Sequence, residues 1–133
     1  MAGYSGKPLQ QKLGIKPGFG VFFLNLPKEV EAELEAALSA CQPAGKAGQT
    51  DFAMLFVTTK AELRRAFAPV ARRLAPAGML WVSWPKKASR LAAGLNENEV
   101  REIGLKAGLV DVKVCAVTEI WSGLKFVRRL KDR

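Results

Sequence analysis

"LVDVKVCAVTEIWSGLKFVRRL", Leu109 to Leu130, decides the fold. Its first part alternates, so that Val110, Val112, Val114 and Ala116 share one face while Asp111 and Lys113 share the other. That pattern predicts a strand with one face better buried than its opposite. "TEIWSG" reads as a turn, tightest at Ser122-Gly123, and "LKFVRRL" as a last strand. The connection is too short for a crossover, so the two strands run antiparallel.

Working back from this hairpin, three short apolar runs stand out: "GFGVFFLN" (Gly18–Asn25), "DFAMLFV" (Asp51–Val57) and "GMLWVSW" (Gly78–Trp84). Runs of this kind suit strands covered on both faces. Helical patterns separate them. After Pro27, Val30, Leu34, Ala37, Leu38 and Cys41 form one stripe, with Glu29, Glu31, Glu33 and Glu35 on the wet side. Thr59 and Glu62 have the spacing of a capping box ahead of Leu63, Phe67, Val70 and Leu74, and Pro69 is expected to kink or split that helix. A third helix begins near Asn96 and ends by Gly108. Strands alternating with helices predict an α/β fold: a three-layer, Rossmann-like, mostly parallel five-stranded sheet with an antiparallel last strand. Residues 1–133 read as one domain, with 1–17 as an N-terminal arm and Gln42–Thr50 as a mobile polar loop.

Composition narrows the chemistry. Twenty-one Lys and Arg against 12 Asp and Glu give a formal charge of +9, which favours anionic partners. The chain has no histidine, which removes Ser-His-Asp and Cys-His catalysis and the commonest zinc ligand. Cys41 and Cys115 lie far apart, outside any ligand spacing, and read as small buried hydrophobes, so no metal is expected. No apolar run approaches the ~20 residues of a membrane span, and the N-terminus lacks an apolar signal core. A cytoplasmic protein with reduced thiols and no membrane association is the expectation.

The element order resembles the second half of a class I methyltransferase fold, which ends in a similar antiparallel hairpin. "KPGFGVFFLN" resembles its first strand, "TDFAMLFV" its fourth and "LAPAGMLWVSW" its fifth. More closely, "YSGKPLQQKLGIKPG", "LWVSWPKKAS" and "AGLVDVKVCAVTEIWSGLKFVRR" resemble a bacterial family catalogued as domain of unknown function 3052. That resemblance implies a fold and no chemistry. Where a methyltransferase carries a glycine loop for S-adenosylmethionine, this chain reads "NLPKE", with Leu26 and Pro27 adding side chains. The strand that ends in an acid for the ribose hydroxyls has no counterpart. The resemblance therefore implies no cofactor.

In an open parallel sheet, ligands bind beyond the carboxyl ends of the strands. Asn25, Thr58 and Thr59 fall at that edge, as do Trp84, Lys86, Lys87 and Ser89 after the third strand and Trp121, Ser122 and Lys125 around the final turn. Two indoles, two hydroxyls and three ammonium groups suit a planar anionic ligand. The same residues also read as core tryptophans with solvated lysines. Ser5 to Pro8, "SGKP", lacks the spacing of a phosphate loop, though Lys7 and Lys12 are placed to fold over the rim. Lys86, Lys87 and Glu119 are the thin candidates for proton transfer, and an ion pair is the simpler use. The expected function is a non-catalytic binding module for an anionic small molecule. Nonspecific nucleic-acid binding through Arg64, Arg65, Arg72, Arg73 and the C-terminal cations is one alternative, if these form a stripe with Lys86 and Lys87. A divergent methyltransferase is the other, and a protein partner stays open.

Overall fold

The apolar runs become neighbouring strands. The computed structural model describes residues 7–133. In chain order these residues form α1 (Leu9–Leu13), β1 (Gly20–Leu24), α2 (Lys28–Leu38), β2 (Gln42–Pro43), β3 (Thr50–Phe56), α3 (Lys60–Ala71), β4 (Leu74–Pro85), α4 (Glu97–Lys106), β5 (Leu109–Ala116) and β6 (Trp121–Arg128). Among the described residues the sheet has six strands in the order β2-β1-β3-β4-β6-β5. β1 pairs in parallel with β2 and β3, and β3 with β4, whereas β6 runs antiparallel to both β4 and β5. The expected five strands are all present. The sixth, β2, is a two-residue strand inside the loop that sequence reads as mobile.

Three layers follow from where the apolar side chains go. On one face Ala53, Leu55, Leu80, Val82, Leu124 and Phe126 bury against Leu63 and Phe67 of α3 and Val100 of α4. On the other, Phe52, Met54, Phe56 and Trp81 bury against Leu9 and Leu13 of α1 and Val30 and Leu34 of α2. β6 enters the interior of the sheet because it is apolar on both faces, and β5, with Asp111 and Lys113, takes the edge. α4 starts with a reciprocal capping box between Asn96 and Glu99. At α3 the box is only half made: Thr59 accepts from the Glu62 N–H at 3.1 Å, while the Glu62 carboxylate accepts instead from the Thr58 N–H at 3.0 Å.

Four local expectations are corrected. β5 does not keep one valine face. Asp111 pairs with Phe126 and Lys113 with Lys125, so Val112 is an extra residue in a bulge. The bulge reverses the alternation: Val110 pairs with Val127 over the α1–α2 layer, Val114 with Leu124 over the α3–α4 layer, and Val112 and Val114 are exposed. Pro69 does not split α3. It sits in the last turn, where it removes only the N–H that would reach the Arg65 carbonyl. The final turn lies at residues 118–120, not at Ser122-Gly123. The Thr118 hydroxyl accepts from the Ile120 and Trp121 N–H groups at 3.0 and 3.1 Å, a side-chain turn that ends before β6 begins. Gly123 serves close packing instead, since a Cβ there would lie 2.8 Å from Val117 Cγ2 and 3.2 Å from Trp81 Cε3. Finally, residues 9–13 of the expected arm form a docked helix. Trp81 Nε1 donates to the Leu13 carbonyl at 3.0 Å, Lys12 Nζ to the Ala116 carbonyl at 2.7 Å, and Lys113 Nζ to the Lys12 carbonyl at 3.0 Å. Ser5 and Gly6 of "SGKP" lie outside the described residues.

Candidate functional site

The carboxyl edge of the sheet is where β1, β3 and β4 end. β1 and β3 lead to helices on opposite faces, so the crevice between their ends is the usual ligand position in such sheets. Here it is bridged. Asn25, left-handed at φ 57°, donates from Nδ2 to the Phe56 carbonyl at 3.2 Å and to Glu62 Oε2 at 3.1 Å. Asparagine tolerates that backbone better than other side-chain-bearing residues. The bridge thus joins the end of β1 to the end of β3 and the first turn of α3. Leu26 and Pro27 follow, both half-buried. On the outer side of β1, β2 does stand where sequence predicts no strand, yet it runs into Pro43, Ala44, Gly45 and Lys46 without a carboxylate. The residues present do not fit S-adenosylmethionine: the glycine loop and the ribose acid are both missing, and the Asn25 side chain spans the crevice.

The seven rim residues divide. β4 and β6 align Trp84 with Ser122 and Pro85 with Trp121, and the Lys86 N–H donates to the Ile120 carbonyl at 2.7 Å. The two tryptophan-bearing segments are therefore side by side, as expected. Their indoles are not. Trp84 packs on the α3–α4 face and Trp121 on the α1–α2 face, each only 6% exposed, because neighbouring positions on a pleated strand point oppositely. They cannot stack on one ligand. Trp121 meets Phe56 edge-on, with centroids 5.2 Å apart, and its buried Nε1 has no hydrogen-bond partner among the described residues. An unpaired buried donor costs about 1–3 kcal/mol.

Trp84, Lys87 and Ser122 do come together. With Leu95, Asn96 and Glu97 they line a groove of about 360 Å³ between the end of β4 and the start of α4. Lys87 is exposed there. Ser89 shapes the adjoining turn, its Oγ accepting from the Leu91 N–H at 3.1 Å. Lys125 leaves the rim altogether. It pairs with Trp81 and Lys113 in mid-strand, four residues inside the start of β6, because the turn closes earlier than the Gly123 signal suggests. Burial lowers its pKa, and Lys113 and Lys16 add to that. Glu119 is exposed and makes no ion pair among the described residues.

Arg72 and Arg128 do not continue a stripe from Lys86 and Lys87, which sit at the carboxyl edge. Arg72 and Arg128 instead share a groove of about 390 Å³ at the opposite edge, with Asp132 as its acid. Arg128 donates to the Ala71 and Leu74 carbonyls at 3.0 and 2.8 Å, tying the chain end to the end of α3. Sequence separation hid this meeting; the antiparallel sense of β6, which returns Arg128 to the start of β4, is the signal that reveals it. A cleft of about 260 Å³ between α3 and α4 is spanned by an ion pair, Lys60 meeting Glu99 at 3.0 Å, beside Arg64 and Glu102. Both cysteines are free and half-buried, and no metal-binding group of His, Cys, Asp and Glu occurs among the described residues. No helix among these residues is long and apolar enough to cross a membrane.

No family model matches the chain, and no curated protein matches it. Solved structures do. A SAM-dependent methyltransferase from Aquifex aeolicus aligns over 89% of this chain and 86% of its own, with TM-score 0.61 and 14% identity. Magnesium protoporphyrin IX methyltransferase from Synechocystis with bound SAM aligns over 91% and 74%, with TM-score 0.59 and 16% identity. A fibrillarin pre-rRNA processing protein from Methanococcus jannaschii aligns over 92% and 69%, with TM-score 0.54 and 11% identity. At such identities the likeness concerns the backbone alone. The chain has a class I methyltransferase-like, Rossmann-like fold.

Proposed function

We propose that this chain is a non-catalytic binding module, built on a methyltransferase-like sheet, that holds an anionic ligand in the groove lined by Trp84, Lys87 and Ser122. The observation that carries the reading is the Asn25 bridge, which spans the cofactor crevice while the groove beside Lys87 stays open. The exposed ammonium, the Ser122 hydroxyl and the edge of an apolar wall suit a small carboxylate or phosphate ester. Calorimetric titration with SAM, its demethylated product and a set of nucleotides and phosphate esters tests it. Binding of an ester that is lost in K87A, with no heat from SAM or its product at millimolar concentration, is the expected result. Lys87 is exposed, so K87A should keep the wild-type melting temperature, which checks that the variant folds.

A second reading, a divergent SAM-dependent methyltransferase, is favoured by the likeness to a SAM-dependent methyltransferase and to a SAM-bound one across nearly the whole chain. Saturable binding of SAM in the same titration would put it first. A place in the bacterial family resembled by three segments of the sequence is likewise a proposal, resting on those segments alone.

A further inference from the structure

We infer that the α1-side face of β5 and β6 carries a second anion site, formed by Lys12, Lys16, Lys113 and Lys125 and shaped for inorganic phosphate or the phosphate of a small ester. It is independent of the groove at Lys87, since it uses the other face of the sheet. Lys12 is 7% exposed, and its ammonium has one hydrogen bond, to the neutral Ala116 carbonyl. A buried ammonium is costly unless a counter-charge meets it. None does: among the described residues, no carboxylate lies within 4.0 Å of any of these four lysines.

The neighbours make matters worse in the empty protein. Lys113 and Lys125 are directly paired across β5 and β6, where like charges destabilise a sheet. Lys113 also reaches over to the Lys12 carbonyl, which brings its ammonium to α1. Lys16, just beyond α1, acts on Lys125 in the same sense as Lys113 does. The bulge at Val112 is what turns Lys113 to this face, so the register irregularity and the charge cluster have one origin. A dianion with several acceptor oxygens would satisfy the spare donors and cancel the repulsion together. Lys12 lies on α1 itself and is almost wholly buried, which favours a small oxyanion over a nucleic-acid strand.

Thermal melts of the full chain at matched ionic strength test the site, comparing potassium chloride, inorganic phosphate, pyrophosphate and ribose 5-phosphate, for wild type, K113Q and K125Q. Wild type is expected to gain about 6 °C from a phosphate at about ten times its dissociation constant, relative to chloride. K125Q should melt higher than wild type in chloride, because the repulsion is gone. K113Q sheds the same repulsion but also its hydrogen bond to the Lys12 carbonyl, so only its phosphate gain is read; both should lose most of that gain. In K125Q that opposite pair of effects separates a ligand site from a structural role, which would lower both melts. Stabilisation by inorganic phosphate points to the free ion, and stabilisation by ribose 5-phosphate alone to an ester. An equal rise in chloride, or a phosphate gain unchanged in both variants, overturns the proposal. A K87A variant that keeps the phosphate gain shows that the two sites are separate, so loss of one reading leaves the other standing.

Discussion

Replacing Asn25 asks whether the crevice between β1 and β3 is closed by the side chain that spans it. Asn25→Gly removes two hydrogen bonds, one to the half-buried Phe56 carbonyl and one to the exposed Glu62 carboxylate, and leaves the φ of 57° unstrained. At about 0.5–1.5 kcal/mol for the first and the low end of that range for the second, which solvent screens, the loss is about 1–2 kcal/mol. Asn25→Ala loses the same bonds and adds about 1 kcal/mol for an alanine held in the left-handed region. For a domain of this size each kcal/mol moves the melting temperature by about 4 °C, so glycine should cost about 4–8 °C and alanine about 4 °C more. Differential scanning calorimetry reads both, and urea unfolding checks that the slope with denaturant is unchanged. A glycine variant that melts with wild type would show that the bridge is not made. An alanine variant no worse than glycine would show that Asn25 is not left-handed. Titration of the glycine variant with SAM adds a functional readout. Continued absence of binding is expected, because Leu26 and Pro27 still occupy the loop and β2 still lacks an acid.

Two further predictions follow from packing and charge. Gly104→Ala should destabilise although alanine is the better helix former: its Cβ would lie 2.7 Å from Phe126 Cδ1 and closer to two other ring atoms, and Phe126 is fully buried edge-on against Phe67. About 2–3 kcal/mol of overpacking against about 1 kcal/mol of helix propensity leaves a net loss of about 1–2 kcal/mol, and a higher melt would refute that packing. Glu99 has its pKa held below the ordinary 4.5, chiefly by its hydrogen bond with Lys60. A carboxylate lowered in the folded state contributes stability above its unfolded pKa and loses it as pH falls through the folded value. Glu99→Gln should therefore flatten the fall in stability below about pH 4.5, and superimposable acid curves for the two proteins would contradict the pairing.

What sequence could show was set by how long each pattern runs. The apolar runs of β1, β3 and β4 are continuous and bounded by helices with caps, so their number and parallel sense follow from residue order. The closing hairpin is equally legible, because a turn of a few residues cannot cross a sheet. The bulge at Val112 is not. Valines at 110, 112 and 114 continue a period of two through the irregularity, and no glycine marks it. From that one residue came the wrong burial of β5 and the hidden meeting of Lys113 with Lys125. Gly123 misled in the opposite way, since it looks like a turn residue but exists for the approach of Trp81 and Val117. Placing the turn there put Lys125 on the rim and both indoles toward one ligand. α1 is five residues long, too short for a helical period, and only its contacts with Trp81 and Ala116 reveal it.

The net charge of +9 is likewise a sum that conceals its distribution. Glu97, Glu99, Glu102 and Asp111 are ion-paired around α4 with Arg101, Lys60 and Lys106, Arg101 serving both Glu97 and Asp111. The acids of α2, Glu29, Glu31, Glu33 and Glu35, are exposed and form no ion pair among the described residues. Cations gather elsewhere, Lys113 and Lys125 on the β5–β6 face and Arg72 and Arg128 beside Asp132 at the opposite edge. Such segregation gives the molecule a negative flank and a positive one, and at physiological salt each field extends only about 8 Å. An anion arriving along α2 meets exposed carboxylates, whereas one arriving over β5 and β6 meets the paired ammonium groups of Lys113 and Lys125. That difference, not the total, is what makes the β5–β6 face the place to test for phosphate.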